Sequence, residues 1–223
     1  MNPRHLAGGC IGTLALLGAG AASAQTPPPP QDAPVGKAAN TFMVRARLIE
    51  VMPTVASSSI TPIGGSVAVT NALMPEVDFS YFFTDNIAAE LIASSTQHTV
   101  SAHNTAIGSL TVGQIWVLPP TLTVQYHFNP KGAFSPYLGA GVNVSFFYDG
   151  SPSGPPINRL TASNSVGPAL QAGVDWNFSG HWFANADVKW IYMPTTASLN
   201  SGTIKAKVDI NPVVLGVGVG YRF

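Results

Sequence analysis

Residues 170–190 read LQAGVDWNFSGHWFANADVKW. Leu170, Ala172, Val174, Trp176 and Phe178 occupy every second position, with Gln171, Gly173, Asp175 and Asn177 between them. After Ser179-Gly180-His181, the residues Trp182, Ala184, Ala186, Val188 and Trp190 repeat the pattern against Asn185, Asp187 and Lys189. Successive side chains of a strand point to opposite faces, so a period of two predicts two strands with one apolar and one polar face each. The short turn between them makes an antiparallel hairpin. Such a hairpin belongs either to a soluble barrel with its apolar face inside or to a membrane barrel with its apolar face outside.

Composition separates the two. Only 9% of the 223 residues are Asp, Glu, Lys or Arg, with a formal net charge of zero, against about 25% charged residues in soluble domains. A soluble lipocalin-like barrel would need an outer face rich in charge, which this chain cannot supply. Mean hydropathy is only +0.24, and after the first 25 residues no apolar run reaches the roughly 20 residues of a spanning helix. A helical membrane protein is thereby excluded. Ten acids balance ten bases, without the basic stripe that a nucleic-acid partner would require.

Working outward, six more segments alternate. Phe42, Val44, Ala46 and Leu48 oppose Arg45 and Arg47; Leu73, Val77, Phe79, Tyr81 and Phe83 oppose Met74, Glu76, Asp78 and Ser80. Ala89, Leu91 and Ala93 stand against Glu90 and Ile92, and Leu122, Val124, Tyr126 and Phe128 against Thr121, Thr123, Gln125 and His127. Leu138 to Phe146 and Val213 to Phe223 complete the set. Three connections are short (84–86, 129–133 and 179–181) and four are long (about 53–70, 95–113, 148–165 and 194–202). The fold class predicted is all-β: an eight-stranded antiparallel transmembrane β-barrel over 41–223, with short periplasmic turns and long extracellular loops. Phe42, Phe83, Phe128, Phe134, Phe178, Trp182 and Phe223 fall at the short-turn end, and Trp116, Phe146 and Trp190 near the other. Two aromatic girdles around an apolar band suit a bilayer.

The N-terminus reads as an address. Arg4 and His5 precede an apolar stretch ending in Ala22-Ser23-Ala24, which predicts a signal peptide over 1–24. The only cysteine, Cys10, leaves with it, so disulfide and thiol chemistry are not expected. Residues 25–40, with Pro27 to Pro30 and Pro34, read as a disordered periplasmic lead-in.

Tyr81-Phe82-Phe83-Thr84-Asp85-Asn86-Ile87-Ala88-Ala89-Glu90-Leu91 resembles a characteristic stretch of the OmpW family of small outer-membrane barrels. So do Leu118-Pro119-Pro120-Thr121-Leu122, Pro136 to Asn143, and the closing Gly218-Val219-Gly220-Tyr221-Arg222-Phe223. The resemblance spans the barrel from about Thr41 onward. It implies a passive channel for small hydrophobic molecules in the outer membrane of a Gram-negative bacterium, among outer-membrane lipids and lipopolysaccharide. Tyr221 and Phe223 look like the signal that outer-membrane assembly machinery reads.

The inward face divides by height. Arg45, Arg47, Lys189 and Arg222 converge with Glu76, Asp78, Glu90, Asp175 and Asp187 in a lumen just wide enough for side chains. Buried charges must pair, so a closed, charged plug is expected. Nearer the long loops, Ile49, Val51, Met74, Ile92, Ile115, Val117, Phe147 and Ile191 form an expected apolar lining. Family members that carry a large apolar residue at the position of Lys189 would have a longer apolar path. Pro119 and Pro120, expected in the fourth strand, cannot donate ladder hydrogen bonds and suggest either a lateral opening or a bulge that shapes the rim.

Enzymatic barrels need a serine activated by a histidine, and no serine sits two residues beyond His127. His98 and His103 read as a solvated loop and His181 as a turn residue. No metal, cofactor or catalytic residue is therefore expected. The rival reading is a structural or docking protein whose loops bind a phage, a bacteriocin or a host surface.

Overall fold

A computed structural model describes residues 35–223; the expected signal peptide and the lead-in up to 34 lie outside the described residues. Eight strands carry the barrel: β1 (Phe42–Met52), β4 (Ala72–Phe82), β5 (Ile87–Ser94), β8 (Thr121–His127), β9 (Phe134–Pro152), β11 (Ser165–Ser179), β12 (Trp182–Ile191) and β15 (Val213–Arg222). Each pairs antiparallel with the next, β15 pairs with β1 and β12, and β9 pairs with β11, so the ring closes. All eight expected strands are present. Closure leaves no edge strand within the spanning ring, which is what a hydrocarbon environment demands.

The period-two pattern orients the wall. Leu122, Val124, Leu138, Leu170, Trp176 and Val217 are exposed outside, while Thr123, Gln125, Asp175, Asn177 and Asn185 are buried inside. Register places opposite charges side by side, with Arg45 across from Asp78 and Arg47 across from Glu76. Opposite this cluster β15 presents glycine. A Cβ at Gly216 would lie 2.7 Å from Asp187 Oδ1, and one at Gly220 would collide with the Phe183 ring. Missing side chains on β15 thus make room for bulky ones on β12 in a narrow lumen.

The long connections are not irregular loops. They fold into β2 (Ser57–Thr61), β3 (Ser66–Val69), β6 (Thr96–Thr105), β7 (Gly108–Leu118), β10 (Leu160–Ala162), β13 (Pro194–Leu199) and β14 (Ile204–Asp209). Strands β7, β6 and β3 extend the barrel sheet beyond β9, and β10, β13, β14 and β2 form a separate four-stranded sheet. Ile60, Val100, Val112, Ile157, Leu160, Leu199, Ala206 and Val208 bury one another in a common cluster. In the sequence these apolar residues are diluted by Ser, Thr and Asn on the opposite faces. Strands exposed to water on one side have that composition.

Candidate functional site

The lower lumen holds an ion network. Arg45 Nη1 lies 2.7 Å from Asp78 and 2.8 Å from Glu90 and donates to Ser80 Oγ at 2.9 Å; its Nη2 is 3.4 Å from Asp175. Arg47 reaches Glu76 and Asp78 at 2.8 Å and Asp187 at 2.9 Å. Lys189 Nζ is 3.0 Å from Glu76 and 3.4 Å from Asp187. The Tyr137 and Phe183 rings flank the Arg45 guanidinium, each centroid 5.6 Å from Cζ, where the negative face of a ring attracts a cation. Eight of the nine charges expected to converge are therefore ion-paired. Arg222 departs from that expectation: it donates to Asn177 Oδ1 at 2.5 Å and stacks over Phe183.

A tenth charge joins them. Lys37, read in the sequence as part of the lead-in, has its ammonium fully buried 2.7 Å from Asp175. Nothing in its Pro-rich context signals this, because residues 35–40 lack any periodicity. Gln125 donates to Glu90 at 2.8 Å and Gln171 to Asp187 at 2.5 Å, so amides fill the remaining gaps.

Above the Glu76–Lys189 pair the lumen becomes apolar. Ile49, Val51, Ile92, Ile115, Val117, Phe147 and Ile191 line one cavity of about 80 Å³. Met74 does not line it. Above Glu76, the last β4 residue paired with β5, the wall loses that partner, and Met74 is left half-buried. The upper wall comes instead from residues of the long connections, including Val69, His98, Val100, Met193 and Val208. Sequence reasoning missed these because they fall outside the eight spanning segments; their own alternation was the available signal.

Pro119 and Pro120 are not inside a strand. They interrupt the chain between β7 and β8, because neither can donate to a ladder. Val144 N still donates to Pro120 O at 3.0 Å on the β9 side. On the other side the pairs run to Ile92–Thr121 and resume at Thr96–Val117. On their opposite side β5 and β6 also lack a ladder, between Glu76–Ser94 with β4 and Val69–Val100 with β3, where Thr70 N still donates to Thr99 O at 3.0 Å. Pro119 itself faces the cavity.

His98 crosses that second interruption. Its Nδ1–H donates to Thr70 O at 2.7 Å, and its Nε2 accepts from Thr96 Oγ1 at 2.9 Å. It is buried, whereas His103 is exposed. The expectation of a solvated histidine fails because β6 turns His98 toward the cavity. Burial pushes its pKa below the ordinary imidazole value. The unfolded segment therefore binds more protons than the folded one just below about pH 6.5, and the extracellular sheets lose stability as pH falls through that window. Limited proteolysis of this region is expected to be faster at pH 5 than at pH 7.5, and the difference should shrink in His98→Gln.

The OmpW family sequence model matches residues 38–223. A relative from Sinorhizobium fredii, the uncharacterized outer-membrane protein y4mB, is 44% identical over 94% of this chain and 93% of its own length. Outer membrane protein W of Vibrio cholerae is 35% identical over 82% of this chain and 88% of its own. Among solved structures, the outer membrane protein OprG from Pseudomonas aeruginosa superposes with a TM-score of 0.79 at 28% identity, over 84% of this chain and 98% of that one.

Proposed function

Since the chain belongs to the OmpW family and is a β-barrel of the Gram-negative outer membrane, we propose that it admits small hydrophobic molecules passively from outside. The apolar cavity above the ion network carries this reading. Apolar walls favour a solute that leaves water. The network beneath offers no route for it, because separating a buried ion pair is strongly unfavourable. In this reading the lower lumen is a plug, and the solute leaves sideways, past the interrupted ladders at Pro119 and Pro120, into acyl chains.

Two further features support the reading. Among the described residues no serine hydroxyl hydrogen-bonds a histidine ring, and His127 is engaged by Lys37 and Gln125, so we read the protein as a non-enzyme. Tyr221 and Phe223 project side by side at the end of β15, ring centroids 5.0 Å apart, where assembly machinery would read them. Lipopolysaccharide would surround the upper sheets.

Proteoliposomes test the reading. Uptake of an apolar fluorescent dye should exceed that of empty vesicles, while small ions stay excluded. Absence of dye uptake would favour the docking role. With uptake established, Pro119→Thr combined with Pro120→Val should reduce it severalfold by restoring donors to the ladder. Unchanged uptake would remove the lateral route and leave the prolines as rim-shaping residues.

A further inference from the structure

We infer that the floor of the barrel contains a binding slot for a primary ammonium group, and that Lys37 from the chain's own N-terminal strap is its resident ligand. An ammonium has three protons and no acceptor. Lys37 Nζ meets three acceptors: Asp175 Oδ2 at 2.7 Å, Ser135 Oγ at 2.7 Å and His127 Nδ1 at 2.9 Å. His127 Nδ1 accepts here, so its Nε2–H donates to Gln125 Oε1 at 3.1 Å, and Gln125 in turn donates to Glu90. The proton order in this chain of bonds is consistent with a cation in the slot. The Phe82 and Tyr137 rings both pack against the His127 ring, with centroids 4.9 Å away.

The barrel wall supplies the slot independently of its occupant. Asp175 lies opposite Ser135 across the β9–β11 pair, and His127 lies opposite Tyr137 across β8–β9. Charge gives a second argument. The wall contributes five buried carboxylates to this cluster but only four cations, and Lys37 provides the fifth. Without it, the only cation left to Asp175 is Arg45 at 3.4 Å, beside the neutral amide of Asn185, which donates to Asp175 Oδ1 at 2.7 Å.

By contrast, the strap is tied down lightly. Its backbone donates once to each short turn: Val35 N to Gly180 O at 2.8 Å, Lys37 N to Pro130 O at 2.8 Å and Ala39 N to the exposed Asp85 Oδ1 at 3.1 Å. Asn40 N adds a bond to Phe82 O at 2.8 Å. Val35, Ala39 and Asn40 are exposed, as is the Asp85 carboxylate, so water can replace the bonds at those residues with little penalty; only Lys37 N and Phe82 O lie on buried residues. The buried ammonium is what fixes the strap across all three turns.

Chemical rescue tests the assignment. Lys37→Ala empties the slot, whereas Lys37→Met fills it without charge. Both should unfold in detergent about 10 °C below the parent, followed by the change in gel mobility on heating. Ethylammonium at millimolar concentration should recover most of the loss in Lys37→Ala and none in Lys37→Met. Tetramethylammonium, with no N–H, should recover neither. If Lys37→Ala does not refold alone, ethylammonium present during refolding should restore its yield. Parent-like stability of Lys37→Ala, or indifference of its stability and refolding yield to ethylammonium, would overturn the slot. Equal rescue by tetramethylammonium would reduce it to a nonspecific salt effect and would likewise overturn it.

Discussion

Replacing Arg45 by methionine is expected to abolish or severely reduce refolding of the barrel, measured as the fraction of heat-modifiable protein after refolding into detergent. Arg45 touches Asp78, Glu90 and Asp175 at once, and all four side chains are fully buried. Methionine keeps an unbranched apolar stem but removes the guanidinium that sits between Tyr137 and Phe183 and leaves carboxylates facing one another across the lumen. Removing one partner of a buried ion pair costs about 3–5 kcal/mol, a large part of the 5–15 kcal/mol by which proteins are typically stable. Double replacement of Arg45 by Met and Glu90 by Gln should recover part of the yield, because it removes one stranded charge. Normal refolding of the single variant would show that the network does not hold the barrel together.

Introducing a carboxylate into the apolar cavity should stop transport without unfolding the barrel. Val117 belongs to β7, above the spanning ring, pairs with Thr96 and Phe147 and faces the cavity. Val117→Glu keeps the strand but brings water and charge into the path. A solute then forfeits much of its transfer free energy, and each 1.4 kcal/mol is about tenfold in occupancy. Dye uptake should fall at least about tenfold, whereas Val117→Leu should stay within a factor of about two. Heat modifiability of both variants reports whether the barrel has survived. Undiminished uptake by folded Val117→Glu would place the route elsewhere.

The spanning strands were legible because two constraints coincide in them. A wall between lipid and a polar lumen forces strict alternation, and Leu170 to Trp190 obeys it residue by residue. The ion network followed from the same alternation, since Arg45, Asp78, Glu90 and Asp175 could only point inward. Lys37 was not legible: it belongs to a segment without period, and only closure of the ring brings Asp175, Ser135 and His127 together to receive it. Arg222 faced inward as expected but met Asn177 and Phe183 rather than a carboxylate, a matter of height in the lumen that parity does not encode. The upper cavity was half legible. Ile115 and Val117 were identified, but β6, β13 and β14 mix small polar residues with their apolar ones, and a sheet wetted on one side resembles a loop in composition.

The paired upper sheets carry one more consequence. Their buried cluster adjoins the cavity wall, with Leu160, Val100 and Val208 common to both. The greasy compartment thus begins among the upper sheets, outside the eight spanning strands. On the proposed route, a visitor would shed its hydration shell in a protein-made antechamber before meeting any lipid tail.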